Sequence, residues 1–390
     1  MNETLILEII FWSALFMVFY TYLGYGIVLY ALVKLKELFV KPVKRVLPPD
    51  SDLPEVTLFI TAFNEEDVVD EKMENSLALD YPADKLRIVW VTDGSDDGTN
   101  DRLQTRWNGK ATVYFQPKRQ GKTAAMTRGM TLVRTPLVVF TDANTMVNSE
   151  AIHEIVLAFQ NPKVGCVAGE KRIAVQTKDG AAAGGEGIYW KYESTLKALD
   201  SRLYSAVGAA GELFADTLLD DFILSLRIAM KGYTIAYCTN AYAIESGSAD
   251  MGEEEKRKVR IAAGGLQSIW RLRPLLNPFH YGILSFQYTS HRVLRWSVTP
   301  FLLFALLPLN IVVLLLGESP LFYGTLLGLQ ILFYGMGYWG YYLSTRQIKN
   351  KVLFIPYYFL FMNVNVLKGI GYLKRKKGSG AWEKAKRAEK

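Results

Sequence analysis

The chain has 390 residues, half of them hydrophobic and 13% aromatic, and a formal charge of +7. That length allows one large domain or two smaller ones with a buried core, and two cysteines exclude a disulfide framework or a cysteine-based metal cluster. The positive charge does not describe a nucleic-acid footprint, because the basic residues crowd beside apolar runs: Lys34, Lys36, Lys41, Lys44 and Arg45, then 256–260, then 374–377.

Residues 5–33 are almost uncharged, with Glu8 near the start, and are long enough to cross a hydrocarbon layer about 30 Å thick. They read as a retained membrane anchor, and the basic flank at 34–45 places the next segment in the cytoplasm. A stiff polar linker with Pro48, Pro49 and Pro54 comes next.

From residue 56 the pattern alternates. Strands are expected at 56–63, 86–91, 112–116, 137–141 and 164–168, with helices at 68–79, 100–107, 122–133 and 150–159 between them. Strands separated by crossover helices predict a doubly wound, mainly parallel α/β sheet. The Gly- and Ala-rich stretch 180–202 reads as a loop leading into a helix, followed by a helix at 220–230 and a strand at 233–237.

Beyond residue 250 the chain returns to the membrane. Residues 253–273 are amphipathic and basic, with Ile261, Leu266, Ile269 and Trp270 as apolar members, and predict a helix lying on the membrane face. A second interfacial segment is expected at 279–296 and spans at 297–316 and 321–343. The last run, 352–373, contains Pro356, Asn363, Asn365 and Lys368, and with the basic tail reads as re-entrant or interfacial. The expected divisions are an anchor at 1–45, an α/β domain at 46–250, interfacial helices at 251–296, membrane segments at 297–373 and a basic tail at 374–390.

The carboxyl edge of such a sheet is where ligands bind. Three loops fall there: Thr61-Ala62-Phe63-Asn64-Glu65-Glu66, then Thr92-Asp93-Gly94-Ser95-Asp96-Asp97-Gly98-Thr99, then Asp142-Ala143-Asn144. Gly121-Lys122 opens a helix between them, a position that favours phosphate. Each loop alone is also an ordinary polar turn. Together they describe a nucleotide diphosphate pocket in which Asp142 and Asn144 offer oxygen ligands to Mg²⁺ or Mn²⁺. No Walker loop or GxGxxG is present. Asp220 and Asp221 open a later helix, as caps or with one carboxylate as a general base.

This ordered set resembles the family 2 glycosyltransferases, and is most similar to the membrane-integrated synthases of poly-N-acetylglucosamine, hyaluronan, chitin and cellulose. The resemblance covers about residues 1–373. It implies a GT-A fold, inverting transfer from a UDP-sugar to a polysaccharide at the cytoplasmic face of the cell membrane, contact with membrane lipids, and accessory secretion subunits. The alternatives are single addition to a lipid acceptor and a non-catalytic nucleotide-binding subunit. On this resemblance Thr61, Ala62, Asn64, Glu65, Asp93 and Gly94 surround the nucleotide, with Lys122 nearby; Asp142 and Asn144 hold the metal at the diphosphate, and Arg260 is its cationic partner. Asp221, beside Asp220, is the base, and Gly211, Glu212, Arg257 and Ile261 line the acceptor side.

Three departures from the family pattern stand out. The metal pair reads Asp-Ala-Asn instead of Asp-x-Asp. The family's QxxRW motif is replaced by Arg257-Lys258-Val259-Arg260-Ile261, whereas Arg292-Val293-Leu294-Arg295-Trp296 fits its letters beside a membrane span, where Trp296 reads as an interface anchor. Gly211-Glu212-Leu213-Phe214-Ala215 runs almost directly into Asp216, shortening the acceptor side.

Overall fold

The structure is a computed structural model, and it describes residues 3–41, 43, 45–174, 181–208, 220–246, 251–346, 348 and 350–375. The chain opens with α1 (Glu3–Phe19) and α2 (Tyr25–Phe39), joined by a π-helical turn at Tyr20–Gly24 into one helical stretch, Glu3–Phe39. Phe11 and Ala14 pack against Leu306, Val313 and Tyr323 of later helices.

The predicted alternation comes next: β1 (Val56–Ala62), α3 (Glu66–Leu77), β2 (Leu86–Asp93), α4 (Thr99–Thr105), β3 (Thr112–Gln116), α5 (Lys122–Met130) and β4 (Leu137–Asp142). These strands form one parallel sheet in the order β3-β2-β1-β4. β1 is buried at every position, as expected of a strand covered on both faces. One core, with Leu58, Ile60, Trp90, Met73 and Val156, fills one side; Phe59, Val91 and Met126 fill the other. Helix α5 approaches the sheet at Gly129, where an added Cβ would run into the Phe59 ring and lie 2.7 Å from Val91.

β5 (Met146–Val147), α6 (Ala151–Phe159), β6 (Val164–Ala174), α7 (Ala181–Leu203), α8 (Asp220–Met230) and β7 (Thr234–Ser246) continue the chain. β6 and β7 are much longer than expected and form a second sheet, β5-β7-β6, with β6 parallel and β5 antiparallel to β7. The stretch 180–202, expected as a loop leading into a helix, is helical from Ala181 onward as the 23-residue α7, whose later turns pack on both α2 and β7. Leu196, Leu199 and Leu203 of α7 meet Tyr25, Leu29 and Val33 of α2, so the first membrane helix continues directly into the α/β domain's packing.

α9 (Met251–Arg271) is the predicted amphipathic helix, but its buried face is not the apolar set. Ala262, Ala263, Gly264, Gly265 and Ser268 are buried, whereas Trp270 is 71% exposed. Small residues are needed because a Cβ on Gly369 would lie 2.8 Å from Ala262, and one on Gly265 only 2.5 Å from the Trp296 indole. A 3₁₀ turn at Arg273–Leu276, short helices α10 (Pro278–Tyr281) and α11 (Ile283–Tyr288), a π turn at Thr289–Val293 and α12 (Leu294–Trp296) lead back to α13 (Val298–Leu316). Then come α14 (Pro320–Thr345) and α15 (Lys351–Arg375).

Among the described residues, Glu3–Phe39, Val298–Leu316 and Val352–Arg375 are long and apolar enough to cross a membrane. α14 carries no charge over 26 residues. The last run, expected to be re-entrant or interfacial, is one continuous helix of 25 residues, α15, with Pro356 inside it. Two of its polar residues find partners on neighbouring helices: the Tyr22 hydroxyl donates to Asn363, and Lys368 pairs with Glu255 at 2.5 Å. Gly337 and Gly340 of α14 let the two helices close up, as small residues do at membrane helix contacts.

The close approach at Gly129 supplies a stability test. Gly129→Ala inserts a methyl into the Phe59–Val91 contact and is expected to destabilise the α/β domain by about 1–3 kcal/mol, read as a lower thermal midpoint. An unchanged midpoint would show that α5 can shift without cost.

Candidate active site

Parallel pairing puts the carboxyl ends of β1, β2 and β4 on one edge. Thr61 is in register with Asp142, and Ala62 with Thr92. The first two loops are tied to each other by their own polar groups. Asn64, in the left-handed region at φ 52°, donates through Nδ2 to Asp96 at 2.6 Å and accepts from the Asp96 N–H at 3.1 Å. The Glu65 N–H donates to Thr99 Oγ1, the Glu66 N–H to Asp97, and the Gly98 N–H to Glu66. Burial opposes ionisation of Asp97, but hydrogen bonds from Thr99 and Glu66 overcome it and hold the carboxyl below its usual range.

Asp93 is only 3% exposed, and its Oδ2 accepts from the Gln120 and Gly121 N–H groups at 2.9 and 2.6 Å. Arg128 approaches its other oxygen at 3.5 Å. The carboxylate therefore fixes the turn that starts α5. Gly94, at φ 70°, must be glycine, because an added Cβ would lie 2.6 Å from the Arg119 backbone nitrogen.

That turn aims Lys122 at the third loop, where its ammonium pairs with the Asp142 carboxylate. Asn144 lies in the turn just beyond, half-buried, and its side-chain amide makes no hydrogen bond among the described residues. The donor set is thus one carboxylate already matched to a cation and one uncommitted amide oxygen. Hard oxygen ligands of this kind fit Mg²⁺ or Mn²⁺ completed by a ligand's phosphates, not an all-protein cage. Consistently, no group of three His, Cys, Asp or Glu metal ligands occurs among the described residues.

Beneath this loop lies a residue the sequence reading missed. Lys72 of α3 is fully buried and donates to Thr141 Oγ1 at 2.9 Å and to the Thr145 carbonyl at 2.5 Å. Burial pushes its ammonium down to about 7, against the pull of Asp142. It holds the metal-type loop from below. Nothing in the helical stretch around it signalled this, since a lysine on an acidic helix reads as a solvated one.

Asp221 opens α8, half-buried, with its Oδ1 accepting from the Phe222 N–H at 2.7 Å. Helix α8 bridges the two sheets: Leu224 packs toward Phe59 and Met126, while Phe222, Ile223 and Leu226 enter the second core. Phe222 lies edge-on to Trp296 at 5.1 Å, and Gly208 gives it room, since a Cβ there would overlap the Phe222 ring. Trp296 is therefore not an interface anchor. It is 8% exposed, wedged between Gly265 of α9 and Phe222, with Arg292 5.3 Å from its ring. Its distance along the chain concealed this contact.

Arg257, expected on the acceptor side, is buried and turned onto Glu254, which also accepts from the Tyr358 hydroxyl at 2.9 Å. Arg260 and Ile261 are half-buried on the same helix. Gly211, Glu212 and the short junction at Ala215 lie outside the described residues, as does the side chain of Asp220.

Comparison with known proteins agrees with this architecture. The sequence pattern of Glycosyl transferase family 2 matches residues 57–204. Poly-beta-1,6-N-acetyl-D-glucosamine synthase of Staphylococcus aureus is 27% identical over 243 residues, covering 57% of this chain and 58% of that protein. Its Staphylococcus epidermidis counterpart is 25% identical over 251 residues, covering 59% and 60%. The match thus spans less than two thirds of these relatives' length. The mannosyltransferase of Pyrobaculum calidifontis, solved with GDP-Man and Mn²⁺, superposes with a TM-score of 0.71 at 20% identity, over 95% of this chain and 99% of that one. Residues 57–204 therefore match glycosyl transferase family 2 on a GT-A-like α/β fold, and among the described residues three helices are long and apolar enough to cross a membrane.

Proposed function

We propose that the protein is an inverting, UDP-sugar-dependent glycosyltransferase that extends a polysaccharide at the cytoplasmic face of a membrane. The observation that carries this reading is the convergence of the Asn64, Asp93, Lys122 and Asp142 loops on one sheet edge, bridged by α8 to Asp221. The relatives that make poly-beta-1,6-N-acetyl-D-glucosamine support a saccharide product. Single addition to a lipid acceptor is the second reading; it is favoured by the packing of α7 along membrane helix α2.

In this mechanism Thr61, Ala62, Asn64, Glu65, Asp93 and Gly94 shape the nucleotide end of the pocket. Asp142 and Asn144 would hold Mg²⁺ or Mn²⁺, which supplies positive charge against the leaving diphosphate. Lys122 and Arg260 add cationic charge to the same phosphates. Asp221 accepts the proton of the acceptor hydroxyl as its oxygen bonds to the anomeric carbon, on the side opposite the donor phosphate. The anomeric carbon–oxygen bond to phosphate breaks as the new one forms, and its electron pair leaves with UDP. Trp296, through Phe222, sets where that base stands.

Asp221→Asn is expected to lower transfer by about 10²–10⁴-fold while leaving UDP binding intact. Turnover unchanged in this variant would remove Asp221 from the role of base. Chelation is expected to abolish UDP release from a panel of UDP-sugars, with Mg²⁺ or Mn²⁺ restoring it; full release in excess chelator would refute the metal assignment. Trp296→Ala is expected to lower kcat at least tenfold with UDP affinity kept, and Trp296→Phe to restore part of it. Equal loss in both kinetic constants and in UDP binding would instead indicate general unfolding.

A further inference from the structure

The third loop of the sheet edge carries little negative charge for a divalent cation. Asp142 supplies a carboxylate, but the Lys122 ammonium already matches it, and Asn144, two residues on, is a neutral amide. Other carboxylates at this edge are held elsewhere. Asp93 accepts from the Gln120 and Gly121 N–H groups, Asp96 from the Asn64 amide, Asp97 from the Glu66 and Thr99 N–H groups, and Glu66 from the Gly98 N–H. The loop is also fixed in shape, because α3 holds it at both ends. Lys72 donates to Thr141 Oγ1 at 2.9 Å and to the Thr145 carbonyl at 2.5 Å. Asn75, three residues on, donates to the Val147 carbonyl at 2.8 Å and accepts from the Val147 N–H at 2.9 Å. Thr145 Oγ1 closes the turn on the Asp142 carbonyl at 3.0 Å.

A divalent ion bound by oxygen gains affinity with the charge of its ligands, so a neutralised carboxylate and one amide make a poor site. A diphosphate changes that balance. An ammonium is a compact charge whose donors suit phosphate, and Lys122 stands at the start of α5, where backbone N–H groups favour the same anion. The Lys122 and Asp142 side chains are 32% and 33% exposed, so an incoming anion can reach them, and an ion pair this open to water is weak enough to be exchanged. We propose that cation binding at Asp142 and Asn144 is conditional on the nucleotide: the diphosphate takes Lys122 from Asp142, and the freed carboxylate holds Mg²⁺ or Mn²⁺ together with the phosphate oxygens. Asn144 sets this dependence, since a carboxylate in its place would hold the ion without any nucleotide. The inference rests on the proposed metal role of Asp142 and Asn144, and it concerns the conditions of binding, not the sugar.

The test is equilibrium dialysis of Mn²⁺ against the full-length protein in detergent, with no nucleotide, with uridine and with UDP. UDP is present on both sides, so its own complex with Mn²⁺ cancels. The wild type is expected to bind Mn²⁺ weakly by itself or with uridine, and at least about tenfold more tightly with UDP. By reciprocity, Mn²⁺ tightens UDP by the same factor. Asn144→Asp is expected to bind Mn²⁺ without nucleotide at least about tenfold more tightly than the wild type does. Lys122→Gln is expected to gain nucleotide-free Mn²⁺ binding as well, while losing UDP affinity measured in chelator. Equally tight Mn²⁺ binding by the wild type with and without UDP overturns the proposal, as does the absence of any gain in Asn144→Asp. Recruitment by uridine equal to that by UDP overturns the role given to the diphosphate. If Asn144→Asp does not fold, the wild-type comparison and Lys122→Gln still decide. Absence of Mn²⁺ binding even with UDP removes the metal assignment itself and this inference with it, a pattern distinct from nucleotide-independent binding.

Discussion

One buried carboxylate fixes how the membrane helices and the α/β domain sit together. Glu193 of α7 takes Arg292 and Arg295 from the short helices that precede α13, with His291 beside it. Burial alone would raise its pKa, but the arginines and the histidine hold it well below the carboxylate range. Such pairs add little net stability over an apolar contact, yet removing one partner leaves a buried charge and costs about 3–5 kcal/mol. The cluster therefore specifies one docking. It joins α7, itself packed on α2, to the segment that carries Trp296, and so relates the membrane helices to the helix that carries Asp221 in its first turn.

The candidate site is assembled from two halves with different chemistry. The sheet edge is tied by backbone amides and short acidic loops, so most of its carboxylates are already spent on Asn64, Gly98, Gln120 and Gly121. Asp142 is instead matched by the Lys122 ammonium. The other half, around Asp221, is aromatic and cationic: Phe222, Trp296, Arg292 and Lys197. On the proposed reading, a nucleotide diphosphate suits the first half and a saccharide acceptor the second.

Much of the first half was legible in the sequence. Unbroken apolar runs marked the strands, because a strand covered on both faces has no polar side to show, and the loops beyond them stood out by composition. The second half was not. Lys72 and Lys197 sit on helices where a lysine reads as solvated, and only the packing of Thr141 and Tyr237 around them reveals otherwise. Trp296 lies about 75 residues beyond Asp221 and reaches its neighbour Phe222 only because α9 offers glycine at the crossing. The ends of β6 and β7 were missed because Glu170, Lys171 and Arg172 interrupt the apolar pattern while pairing within the sheet or with its neighbours.

The contact of Gly265 with the Trp296 indole couples two sites thirty-one positions apart in the chain, since 296 − 265 = 31. With the added Cβ only 2.5 Å from that ring, residue 265 cannot enlarge while a tryptophan occupies 296. Evolutionary drift at either position is therefore conditional on the other: a lineage that exchanges the tryptophan for a smaller side chain frees residue 265, and one that acquires alanine there must first have surrendered the indole. The order of substitutions, and not only their identity, is set by this crossing.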